Sequence, residues 1–232
     1  MTLLTVVQDV CAAVGVTYPQ SVFASITGNR TMQEMVALAN EMAQRIAYDT
    51  RDWTMLQRSL TFPCDGATGN FTLPTDFKRL MLNSQVRLLS NPTNKLVFVP
   101  TFEQWLEGAF GGVSPRGEWI LFQGQLVVRP TPADGDTVHS GYLDKNCVKM
   151  ESGGFGDRFM NDGDTFRLDE RLLKLGMTYQ WKAQKGSSYA EDMSTYGDAL
   201  AIAMGHDAPA PIYIDRKPIS ASISATYTGA VP

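Results

Sequence analysis

Two histidines, His139 and His206, are all that 232 residues contain. A histidine general base or a histidine-based metal site has to rest on one of them. His139 lies in a stretch of alternating polarity and His206 follows a helical segment, so both read as structural. The three cysteines, Cys11, Cys64 and Cys147, are far apart. None has the CxxC spacing of a zinc site, and three is an odd number for a disulfide framework. They read as reduced thiols of a cytosolic product. Asp157, Asp162 and Asp164, with Asn161 and Gly163, offer the oxygen ligands of a calcium loop. Their spacing departs from the EF-hand series, and no Glu stands at its end position. Glu103, Glu107 and Glu118 are the carboxylates on which a glycosidase pair would draw. Glu103 and Glu107 share a helix face, which is usually a solvated one.

Other chemistry fails on context. Gly108-Ala-Phe-Gly-Gly and Gly153-Gly-Phe-Gly lack the Lys-Ser/Thr and the strand-to-helix setting of a phosphate cradle. The Gly-x-Ser-x-Gly nucleophile elbow is absent. Arg51, Arg58, Lys78, Arg79, Arg87 and Arg129 form no basic run with interleaved aromatics, which argues against sequence-specific nucleic-acid readout. The expectation is a non-enzyme with no catalytic residue, no cofactor and no metal.

Composition points the same way. Apolar residues make up 44% and charged residues 19%, an ordinary globular balance with few charges. Lys plus Arg count 20 against 24 Asp plus Glu, a formal charge of −4. Such a chain is a poor phosphate gripper and a poor membrane-surface protein. A low-charge surface also suits burial between subunits. No run reaches ~18 apolar residues. The N-terminal stretch lacks a basic n-region, and Gln8 and Asp9 interrupt it, so it reads as an amphipathic helix ended by Gly15.

The elements that would position these residues follow from periodicity. Helical spacing covers Leu3 to Val14. Thr31-Met-Gln-Glu34 has the form of a capping box and opens a second helix toward Arg51–Trp53. The period then shifts to strands at Leu60–Pro63, Asn70–Pro74 and Arg79–Leu89, with Asp65-Gly66 and Gly69 marking a hairpin. A short helix follows Thr101, a second hairpin turns at Gly124, and Asp136 to Leu143 is a last strand. Asn146 to Asp164 reads as a glycine-rich linker. Two further helices follow from Asp169 and from Ser187-Ser188. The expected fold class is α+β: an antiparallel helical bundle from the N- and C-terminal helices, an inserted small antiparallel β domain and an extended C-terminal arm. The expected divisions are 1–59, N-terminal helices; 60–145, β domain with one short helix; 146–206, linker and C-terminal helices; and 207–232, arm. Trp53, Trp105, Trp119 and Trp181 are expected in the core rather than at contacts.

The last segment differs in kind. It holds Pro209, Pro211, Pro218 and Pro232, and small residues dominate from Ser220 to Gly229. It cannot build a core alone. Ile219, Ser220, Ala221, Ser222 and Ile223, with Thr226 and Tyr227, suggest a strand-like arm that orders on a partner. Ile212, Ile214, Ile219, Ile223 and Tyr227 are its expected partner-binding anchors.

Several phrases and their order resemble the head-to-tail adaptor (connector) proteins of tailed bacteriophages, the podovirus-type family among them. They are Asp52-Trp53 closing the second helix, Leu60-Thr-Phe62, and Leu73-Pro74-Thr-Asp76-Phe77. Asp164-Thr-Phe166-Arg-Leu168-Asp169-Glu170-Arg-Leu172-Leu173 follows, and then Trp181-Lys182 with Gly186-x-x-Tyr189-Ala190. The resemblance spans about Thr2 to Met204. It implies a structural virion protein made in the host cytoplasm and working in the neck between capsid and tail. It implies a dodecameric ring below the portal that extends the DNA channel and offers the tail a docking surface. The implied partners are the portal protein, neighbouring adaptor subunits, tail or nozzle proteins and passing double-stranded DNA held without sequence preference. No membrane partner is implied, and no catalytic residue carries over. Two other readings remain open to the sequence: a tail completion or tail terminator protein, and a cell-wall glycosidase.

Overall fold

The computed structural model describes residues 1–82, 84–112 and 114–207. The arm anchors Ile212, Ile214, Ile219, Ile223 and Tyr227 lie outside the described residues.

Helix α1 (Leu3–Val14) starts where the Thr2 hydroxyl accepts from the Thr5 amide, and it stops at Gly15, whose φ of 74° only glycine adopts freely. It buries Leu3, Val6, Val7, Val10 and Cys11, the i, i+3, i+4, i+7, i+8 stripe of an amphipathic helix. Helix α2 (Val22–Ser25) is one turn. Helix α3 (Arg30–Gln44) buries Met32, Met35, Leu38, Ala39, Met42 and Ala43. Its N-cap is Asn29, whose side chain accepts from the Thr31 and Met32 amides. The capping box predicted at Thr31 is therefore two residues off, because the asparagine at position 29 offers its oxygen first. The helix widens into a π turn at Arg45–Asp49. There the Ile46 carbonyl accepts from Thr50 Oγ1 at 2.8 Å and Trp53 Nε1 at 2.6 Å. Side chains thus satisfy a carbonyl at the helix end.

Nine strands and one helix follow before the small third sheet. They are β1 (Gln57–Pro63), β2 (Asn70–Thr72), β3 (Phe77–Leu80), β4 (Arg87–Leu88), β5 (Asn91–Lys95), β6 (Val97–Phe98), α4 (Phe102–Gly111), β7 (Glu118–Phe122), β8 (Gln125–Arg129) and β9 (Thr137–Asp144). Strand β9 organises the first sheet. It pairs antiparallel with β1 from Gln57↔Leu143 to Pro63↔Thr137, and takes β3 and β4 on its other side; β5 pairs β4. The second sheet runs β2-β8-β7-β6, with β6 parallel to β7. Then come β10 (Val148–Lys149), β11 (Phe155–Gly156) and β12 (Thr165–Phe166), a third sheet in the order β11-β10-β12. Helices α5 (Glu170–Gln184) and α6 (Ala190–Asp207) complete the described chain.

The fold class expected from sequence is overturned. Among the described residues, twelve strands in three sheets organise the molecule, against six α-helices. It is not an antiparallel helical bundle carrying a small β insertion. The cores show why helices alone do not close the structure. One core joins α1, α3 and α5 to Leu143 of β9, Cys147, Val148, Phe159 and Phe166. Strands and loops from the supposed linker fill that core. Burying each such side chain contributes roughly 1.5–3 kcal/mol. The second core lies between the larger sheets, with Leu60, Phe71, Val86, Trp119, Leu126, Val128, Val138 and Tyr142. Gly176 of α5 makes room for α3, since a Cβ there would stand 2.6 Å from Met42 Cε.

Candidate functional site

Asp162 and Asp164 are committed to structure, whereas Glu103 and Glu107 are exposed on α4. Asp162 Oδ1 accepts from the Val22 and Phe23 amides at 3.0 and 3.1 Å, and Oδ2 accepts from the Ser21 hydroxyl. Asp164, fully buried, accepts from the amides of Glu151, Met160 and Asn161 at 2.9, 2.6 and 2.8 Å. The carbonyls of the same two residues take the Leu4 and Leu3 amides that open α1. A loop with the look of a calcium site is thus a cap for two helix starts. Asp157 is exposed and lies 3.6 Å from Arg158. Among the described residues, no three His, Cys, Asp or Glu side chains are grouped to hold a metal ion.

Glu118 is clamped by Arg129, whose Nε and Nη2 donate to Oε2 at 2.8 and 2.6 Å. Burial opposes its ionisation, but the Ser114 amide and the Arg129 guanidinium outweigh that and keep the carboxyl below its usual range. A general acid needs the reverse shift. Arg129 also lies 3.9 Å over the Trp105 ring and donates to the Trp105 carbonyl at 2.5 Å. The cluster fastens α4 to β7 and β8. His139 is exposed in β9 beside Thr61 Oγ1 at 3.2 Å, and His206 is exposed in the last turn of α6. The thiols of Cys11, Cys64 and Cys147 are free and buried. Burial pushes Cys147 up to about 11. Trp53, Trp119 and Trp181 lie in the core, while Trp105, on α4, is half-buried.

Two polar joints tie the layers together, and neither was singled out in the sequence. At the first, Asp144 at the end of β9 accepts from Arg167 Nη1 at 2.8 Å and from the Asn146 amide at 2.9 Å. Arg167 reaches on to the Met55 carbonyl at 2.8 Å, and Tyr48 donates to the Asp144 carbonyl at 3.1 Å. This joint links the first sheet, the third sheet and the π turn. At the second, Asp207 accepts from the Thr54 amide and from Thr54 Oγ1 at 2.6 Å, while Arg51 lies 3.5 Å away. Arg51 also donates to the Met204 carbonyl. The end of α6 is therefore clasped beside the entry to β1. Everything after Asp207 departs from that point.

The surface has a mixed character. Val97, Phe98, Phe102, Leu106 and Leu121 are exposed around β6 and α4, and Tyr189, Met193 and Ile202 along α6. Phe102 stacks on Phe122 at 4.2 Å, which keeps α4 on the sheet. Exposed apolar side chains in groups mark contact surfaces.

The SU10 adaptor protein family matches residues 1–212, and the chain belongs to that family, one of phage head-to-tail adaptor proteins. The protein is thus a viral structural adaptor. Membership implies contact with other components of the virion neck. No curated protein matches the chain. No described helix is long and apolar enough to cross a membrane.

Proposed function

We propose that this adaptor assembles as a closed ring, a dodecamer, below the portal of a tailed phage. The ring extends the DNA channel and presents the tail or nozzle proteins with a docking surface. The family match over residues 1–212 carries this reading. The physical features agree with it. A heterologous contact in which each copy offers one face to the next closes into a ring, and the apolar groups on α4 with β6 and on α6 supply two distinct faces. Weak contacts repeated around such a ring sum by avidity. A formal charge of −4 favours passage of DNA without tight phosphate binding. The body ends at the Asp207 clasp, and the arm from residue 207 carries Ile212, Ile214, Ile219, Ile223 and Tyr227 as anchors for the portal or a neighbouring copy.

Sedimentation tests the reading. The purified chain mixed with its cognate portal should co-sediment as one particle of fixed stoichiometry. Separate sedimentation of the two at all concentrations would overturn it.

A further inference from the structure

Strand β1 ends the first sheet, and β9 is its one strand partner among the described residues. Its other edge is open over seven residues, the longest such edge among the described residues. Unpaired edges are templates for another strand, and proteins blunt them with charges, prolines or covers. Here Arg58 and Pro63 stand near the two ends, and the four residues Ser59–Thr61 and Phe62 between them carry neither. The two faces of β1 differ. Leu60 is buried and Phe62 stacks on Phe71 at 5.1 Å. Gln57, Ser59 and Thr61 alternate with them and are exposed.

The sequence holds one segment that matches this edge. From Ile219 to Thr228 the chain reads Ile-Ser-Ala-Ser-Ile-Ser-Ala-Thr-Tyr-Thr. Every odd position is apolar and every even one carries a hydroxyl, the period of a half-buried strand. Laid beside β1, such a strand sets its apolar face against Leu60 and Phe62 and its hydroxyls against Ser59 and Thr61. Hydroxyl pairs and apolar pairs across strands are the favourable ones.

The point where the chain leaves the described body sets how far that segment can reach. Asp207 is bonded to Thr54, three residues before β1 begins. Residues 208–218 separate it from Ile219 and include Pro209, Pro211 and Pro218. A proline-rich stretch of that length reaches about 34 Å at ~3.1 Å per residue. Strand β1 is about 23 Å long at ~3.3 Å per residue. That reach exceeds the length of β1, so the matching segment can pass its own edge and arrive at the edge of an adjacent copy.

We propose that the open edge of β1 receives residues 219–228 of a neighbouring copy as an added antiparallel or parallel strand. The arm would then couple each copy to the next by backbone hydrogen bonds. The inference rests on the assembly of copies proposed above, and it assigns both partners of one contact.

Mixed cysteine cross-linking of the full chain tests it. One preparation carries Thr61→Cys. The others carry one added cysteine at one of positions 220 to 226, the three native thiols being buried. Each pair is mixed, oxidised and read as covalent dimer, with the assembly state followed in parallel by mass photometry. Expected is a dimer with one or two neighbouring even positions, none with Ala221, Ile223 or Ala225 replaced, and loss of the dimer when Ala221→Pro is added to the arm chain. Rings without any cross-link would overturn this contact and leave the ring reading standing. A monomer with no cross-link would overturn both. A cross-link formed only within a chain carrying both cysteines, or formed alike at odd and even positions, would overturn the exchange between copies.

Discussion

Replacing Arg167 by methionine should cost the protein a large share of its stability. The Arg167 side chain is 7% exposed and that of its partner Asp144 is 2% exposed. Methionine keeps much of the aliphatic stem but removes the guanidinium that bonds Asp144, the Asn146 carbonyl and the Met55 carbonyl. It also removes the cation 4.4 Å from the Phe155 ring. A carboxylate is then buried with only the Asn146 amide and, at 3.5 Å, the partly exposed Arg58. Removing one partner of a buried pair costs about 3–5 kcal/mol. Arg58 softens this, so about 3 kcal/mol is the working figure. For a urea m-value of about 2 kcal/mol/M, the unfolding midpoint falls by about 1.5 M. Adding Asp144→Leu removes the orphaned charge, so the double variant should recover part of the loss. Urea unfolding followed by tryptophan fluorescence reads the parent, both single variants and the double variant. A single variant within about 1 kcal/mol of the parent, or a double variant that loses the sum of both single changes, would refute the joint as described.

Further outcomes follow from the same geometry. Glu118 has its folded pKa depressed, so its pairing with Arg129 stabilises the protein above the ordinary carboxylate range, near about pH 4.3, and that contribution is lost as pH falls through the folded value. Glu118→Gln should thus lower the thermal midpoint at neutral pH, and the gap to the parent should narrow in acid; a constant gap would contradict the assignment. The three buried thiols should resist a thiol reagent at about pH 8 and all react in urea, since burial raises each of them; labelling of the native protein at a rate like that of free cysteine would contradict the packing. Deleting Ile212 to Pro232 should leave the circular dichroism and unfolding midpoint unchanged while abolishing portal docking; an unfolded product would make the arm part of the core.

Local pattern reached those elements whose cause is local. The apolar stripe of α1 and its Gly15 stop were legible, as were the β7–β8 turn at Gly124, where Glu118 faces Arg129 in the register, and the start of α5 at Asp169. Non-local pairing was not legible. The Asp65-Gly66 turn was read as a hairpin, yet β1 pairs with β9, far along the chain, while β2 joins β8 in another sheet. The third sheet was missed because two-residue strands show no alternation. Its glycine-rich surroundings looked like a linker, although Phe159 and Phe166 there are core residues. Asp164 could have been found by a different question. A small acidic residue just before a helical segment, flanked by Asn161 and Gly163, is as much a collector of backbone amides as a metal ligand. The Asp207 clasp had no signal, since Thr54 and Asp207 meet only after the whole chain has folded.

The most direct test of the central reading is electron microscopy of the full chain bound to its cognate portal. A ring of this protein stacked coaxially beneath the portal, with the channel continuous through both, is the result the account predicts. Portal particles unchanged in its presence, with the protein remaining a free monomer, would contradict it.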